Sequence, residues 1–132
     1  MSYVRIASPT LLKLPNGHMI EAETVTDSAG LARGLMFRTF LPSDQGMLFI
    51  HPRPGYHKFW MHQTKIPLDI VWMNDAGAIV DMVQNAQPCQ SPASECEHYG
   101  GKKLSSFVLE IAGGMARQCG LKVGQIIGGL DG

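Results

Sequence analysis

Residues 67–84 read PLDIVWMNDAGAIVDMVQ. Two short runs rich in Ile and Val flank Asn74-Asp75-Ala76-Gly77, a cluster of turn formers. Apolar runs of this length bounded by turn residues are strands, and two of them joined so closely make a β-hairpin. The chain on the N-terminal side continues the pattern. HKFWMHQ (57–63) reads as a further strand, or as one strand with 67–73 bent at Lys65-Ile66-Pro67. GMLFI (46–50) reads as a buried strand, and His51-Pro52-Arg53-Pro54-Gly55 as a rigid turn after it.

Further back, TLLKL (10–14) and residues 18–25 flank Pro15-Asn16-Gly17, and Asn-Gly is a strong hairpin signal because both turn positions tolerate positive φ. Between this hairpin and GMLFI lies a short helix. Thr26 or Asp27 can cap it, Gly34 can end it, and Leu31, Leu35 and Met36 are placed toward the core. YVRIA (3–7) is a first strand candidate. On the C-terminal side, residues 85–103 have no periodicity and form the longest loop. LSSFVLEIA (104–112) is a strand, and Gln125 to Gly128 a last strand candidate. MARQC (115–119) is one or two helical turns, with Gly120 and Leu121 placed for a Schellman ending. The expected fold is mainly β, a β-rich α+β chain. It is a compact barrel-like arrangement of eight or nine short strands with one or two short helices, in a single domain over residues 1–132.

Composition agrees. Of 132 residues 45% are hydrophobic and only 17% charged, and 15 Gly with 8 Pro imply many turns. Eleven basic residues balance eleven acidic ones, which leaves no electrostatic footprint for nucleic acid or an anionic membrane. No run reaches the roughly 18 apolar residues of a membrane span. The N-terminal segment does not read as a signal peptide, having no continuous apolar core.

The densest polar and aromatic segment is His57-Lys58-Phe59-Trp60-Met61-His62-Gln63-Thr64. As a strand it sends Trp60, His62 and Thr64 to one face, an indole, an imidazole and a hydroxyl in a row. That row suits a ligand platform; the plainer alternative is that Trp60 and Met61 are core and the polar groups a solvated edge. Asp69 and Glu110 each sit inside an apolar strand, where a carboxyl is costly unless paired or hydrogen-bonded. They can be an acid/base pair or oxygen ligands for a metal. The favoured reading is that each meets a buried cation such as Arg38, Arg33 or Lys103, or accepts backbone N–H bonds.

Cys89, Cys96 and His98 form a C-x6-C-x-H pattern, looser than structural zinc knuckles, so no metal is expected. A loop disulfide between Cys89 and Cys96 is simpler in an oxidising compartment and free thiols in a reducing one; Cys119 is left over. A Cys/His nucleophile pair is the third option. The chain carries no G-x-S-x-G, P-loop, dinucleotide fingerprint or H-E-x-x-H, and no cofactor is expected.

The ordered series GLMFRTFL (34–41), GMLFI (46–50), FWMHQT (59–64), PLDIVWM (67–73), FVLEIAGG (107–114) and GLKVGQII (120–127) resembles the domain of unknown function 192 family, from about residue 20 to 128. The resemblance implies a compact β-rich domain, often in exported proteins, with no established activity. It places motif residues at Arg38, Gly46, Met47, Phe59, Trp60, Met61, Thr64, Pro67, Leu68, Asp69, Glu110 and Gly113. Gln63 departs from it, because the family usually has Asn there.

Three functions follow as expectations. The first is a binding or accessory module for a small molecule, glycan or peptide, on a surface that includes Arg38, Trp60, His62, Thr64, Asp69 and Glu110. The second is a hydrolytic enzyme using Asp69, Glu110 or His62. The third is a structural or interaction domain in which Asp69 and Glu110 pin turns through backbone bonds. The partner is thus an unknown small ligand or protein rather than nucleic acid.

Overall fold

The computed structural model describes residues 9–130; the strand candidate at 3–7 lies outside them. Among the described residues the strands are β1 (Thr10–Lys13), β2 (Met19–Val25), β3 (Gln45–Gly55), β4 (Lys58–Trp60), β5 (Leu68–Met73), β6 (Ile79–Ala86), β7 (His98–Gly100) and β8 (Ser105–Ala112). The two α-helices are α1 (Ser28–Arg33) and α2 (Met115–Gln118). Six strands form one sheet in the order β1-β2-β3-β8-β5-β6, while β4 and β7 pair separately. The mainly-β expectation holds. Both expected hairpins are present, β1 with β2 and β5 with β6, each antiparallel. Among the described strands only β2 and β3 pair parallel, so the chain must cross over between them, and α1 lies in that crossover.

The sheet is not closed, so barrel-like describes it only loosely. Its two edges are instead tied together by the C-terminal segment. Lys13 and Gly128 exchange backbone bonds of 3.0 Å at the β1 edge, and the Ile79 N–H donates to Gln125 at 2.9 Å at the β6 edge. Gln125–Gly128 therefore satisfies edge groups through isolated bridges rather than as a strand.

Three other segments differ from their sequence reading. His51–Gly55 is the tail of β3 rather than a turn. Its pairing with β8 is interrupted between Ile50 and Gly55, so the ladder does not require an N–H from Pro52 or Pro54. The strand expected over 57–63 stops at Trp60, because Thr64 N–H folds back on Met61 in a turn with Gln63 at φ 57°. The long loop is shorter and more ordered than its composition suggests. β6 runs on to Ala86, a 3-10 turn spans Ala93–Glu95, and β7 follows.

Both faces of the sheet are buried, and all six residues of β5 are inside. One face packs Leu12, Ile20, Leu48, Val71, Leu109 and Ile111 against Met115 and Ala116 of α2. The other packs Met47, Phe49, Leu68, Ile70, Trp72 and Val108 under Leu35 and Met61. The second face carries the site. As expected, Asp27 caps α1, accepting from the Gly30 N–H at 2.5 Å, and α2 ends in a Schellman pattern with Leu121 N–H on Ala116 at 2.8 Å. No helix among the described residues is long and apolar enough to cross a membrane.

Candidate functional site

A cleft of about 510 Å³ opens on the second face, between α1 with its following turn and the β4–β7 sheet. Volumes of this size hold small molecules. Leu31, Leu35 and Met36 supply an apolar wall. The opposite wall is aromatic and basic, with Phe59 and Trp60 beside His51, His57, His62 and His98. The two walls are held in place by backbone bonds, since the Phe37 N–H donates to Gln63 at 2.9 Å and joins the turn after α1 to the turn after β4.

The small sheet is anchored from below. Trp72 donates its indole N–H to the His57 carbonyl at 2.9 Å, and Phe59 packs edge-on to Phe49 and Trp72 with centroids 4.9 Å and 6.0 Å away. Gly100, at φ 75°, lies against the Trp72 indole, where a Cβ would collide with the ring. On the far side Cys89 and Cys96 are joined by a disulfide. Cys89 also exchanges backbone bonds with the 61–63 turn, 3.0 Å from the Gln63 N–H and 3.1 Å to the Met61 carbonyl. The disulfide closes the loop before β7 on itself, and the Cys89 backbone bonds hold that loop to the turn after β4. Loop-closure entropy for a ring this short gives about 2 kcal/mol. Cys96→Ser is expected to lose about that much stability in denaturant titration and to lower amide-exchange protection first in β7.

Of the expected row, Trp60 and His62 stack obliquely with centroids 4.9 Å apart, and Thr64 lines the cleft although it is buried. His98 from β7 adds a second imidazole 5.5 Å from Trp60. His51 and His57 lie face to face at 3.5 Å. Burial lowers the His51 pKa to about 4, with the neighbouring His57 charge acting the same way, so His51 is neutral at physiological pH.

Glu110 lies at the floor. Its register partners are Met47 on β3 and Ile70 on β5, both apolar, and it is 3% exposed. Its Oε1 is buried without a hydrogen-bond partner. Burial raises its pKa to about 8, so the carboxyl holds its proton at neutral pH. Gly34 lies beside that oxygen: a Cβ there would stand 3.6 Å from Oε1 and 3.3 Å from the Phe49 ring, and the residue's φ of 53° favours glycine.

Asp69 is on the other face. Its register partner is Ile111, one residue beyond Glu110, so the two acids point to opposite sides of the sheet and form no pair. Asp69 accepts three backbone N–H bonds, from Asn85 (2.7 Å), Gly114 (3.2 Å) and Ala116 (2.7 Å). Residue 114 at the N-cap of α2 is glycine and has no capping side chain, so Asp69 supplies the cap from a distant strand. Backbone bonding therefore accounts for Asp69 and does not account for Glu110. Arg38 pairs with neither acid and does not line the cleft. It forms a forked bond to Glu23 at 2.5 Å and 3.0 Å, which raises its pKa. Among the described residues no three or more His, Cys, Asp or Glu side chains converge as metal ligands.

The model of the DUF192 family, described as "Uncharacterized ACR", matches residues 11–128. The chain belongs to the DUF192 family. No curated protein matches it. A crystal structure of a protein of unknown function from Novosphingobium aromaticivorans DSM 12444 is 33% identical, covers 90% of this chain and 82% of its own, and superposes with a TM-score of 0.80. A second, from Sinorhizobium meliloti 1021 and described as a "putative transcription regulator", is 27% identical, covers 97% and 98%, and gives 0.84. The DUF192 departure at residue 63 has a backbone explanation. Gln63 is exposed and left-handed, a conformation that Asn enters more readily than Gln, while its N–H and carbonyl make the contacts that join the two walls.

His51 and Gly34 stand in the sequence only as turn and helix-end residues, and His57 only as the first residue of the aromatic segment. Two histidines bracketing a Pro-rich segment were visible, but their stacking depends on how β3 bends after Ile50.

Proposed function

We propose that this DUF192 protein is a small-molecule binding module whose ligand occupies the cleft between α1 and the β4–β7 sheet. One observation carries the reading. Glu110 Oε1, His51 Nδ1 and His62 Nδ1 are buried without partners, and all three residues line this cleft. Folded proteins pair nearly all such atoms, so an unmatched group at one cleft favours a ligand that completes it. The protonated Glu110 carboxyl can donate a hydrogen bond, the imidazoles can donate or accept, and Trp60 offers an apolar surface. Small polar organic molecules, glycans and short peptides are the classes these groups suit.

The even charge balance argues for such a ligand over nucleic acid. A fragment screen by NMR tests the reading, with shifts expected at the Trp60 indole N–H and the His62 and His98 rings and lost in Trp60→Ala. Fragments that bind only elsewhere would sink it. Retardation of duplex DNA by micromolar protein would turn the reading toward the transcription-regulator relative instead.

A further inference from the structure

The charges around the cleft are one-sided. Arg33 and Lys58 line it and are exposed, and the sole salt bridge among the described residues is Arg38–Glu23, so neither is held in an ion pair there. The single acid of the cleft is Glu110, buried at its floor. From this arrangement, and resting on the small-molecule reading above, we infer that the ligand is a small flat organic anion of the aromatic carboxylate class. Its ring sits against the Met36 and Trp60 walls and its charge turns toward Arg33 and Lys58.

The sign of the field decides against the other classes. A cleft lined by one sign of charge with low-dielectric walls concentrates ligands of the opposite sign and repels like ones. A cationic amine would have to pass two exposed cations to reach Glu110. A neutral molecule leaves both cations without use. A carboxylate gains a forked, charge-assisted contact from the Arg33 guanidinium, the strongest type this lining offers. Glu110 is the one group that could repel an anion, and its buried carboxyl, holding a proton, offers a donor instead. An inorganic anion would satisfy the cations but leave the apolar and aromatic walls uncovered.

Benzoate, benzamide and benzylamine share a ring and differ in charge, so they separate the classes. Each is titrated into the full chain while NMR follows the Met36 methyl and the Trp60 indole N–H. Benzoate is expected to bind about tenfold more tightly than either of the others, as one charge-assisted contact allows. Arg33→Ala and Lys58→Ala, both at exposed positions, should each weaken it about threefold to fivefold, with the melting temperature of each variant measured alongside. Raising NaCl from about 20 mM to about 0.5 M should weaken it further. Equal or tighter binding of benzamide or benzylamine in the cleft overturns the anionic class and leaves the small-molecule reading standing. Benzoate binding that is indifferent to both substitutions and to salt overturns it as well. If no member of the set perturbs Met36 or Trp60, the aromatic carboxylate class falls, and the fragment screen alone decides the small-molecule reading.

Discussion

At about pH 9, Glu110→Gln is expected to be more stable than the parent protein by about 3–5 kcal/mol, and at about pH 5 the two should agree within about 1 kcal/mol. The reason is the carboxyl under Gly34. Its pKa is raised by burial from an ordinary 4.5 to about 8 in the fold. A raised folded pKa contributes stability that is fully present below the unfolded value. That stability falls as pH rises between the two values and is gone above the folded one. Gln mimics the protonated acid in size and cannot ionise, so its variant escapes the loss. His51 works in the opposite direction: its pKa is lowered to about 4, so its contribution is present above its unfolded value and lost as pH falls through about 4. The two slopes offset one another between about pH 4.5 and 6.5 and leave Glu110 to dominate above that range. Urea unfolding at several pH values reads this directly. A Glu110→Gln curve parallel to the parent from pH 5 to 9 would mean that the carboxyl finds a partner or water and is not buried alone.

Asp69→Ala is expected to cost about 3–6 kcal/mol, the sum of leaving up to three backbone N–H groups without an acceptor. The three bonds come from Asn85, Gly114 and Ala116, so one side chain joins β6 and the start of α2 to the centre of the sheet. Asp69→Asn keeps one oxygen but turns an amide N–H₂ toward a donor, and should cost about 1–3 kcal/mol. The loss should be independent of cleft occupancy, since Asp69 lies on the opposite face. Equilibrium denaturation with an unchanged m-value checks it, and a loss under about 1 kcal/mol for Asp69→Ala would show that solvent replaces the cap. The opposite expectations for Asp69 and Glu110 arise although both acids occupy the same kind of sequence setting. One is surrounded by donors and the other by none.

Both hairpins, α1 with its Asp27 cap, the Schellman end of α2 and the mainly-β class were legible because they follow from local signals. Turn formers fix where the chain reverses, capping side chains reach only a few residues, and apolar runs mark strands. Trp60 and His62 are neighbours as expected, but through the turn after β4 rather than through strand alternation. The partners of Asp69 and Glu110 were not legible. Both acids read alike along the chain, and pairing across β5 and β8 puts their side chains on opposite faces. His51, His57 and His98 gather around one cleft because β3 bends after Ile50 and backbone bonds of Cys89 hold the disulfide-closed loop before β7 against the turn after β4. The amino-acid sequence by itself determined the elements and the residue types available for chemistry. Register, bends and long-range closure decided which of those residues share a surface, because these depend on contacts between segments far apart in the chain.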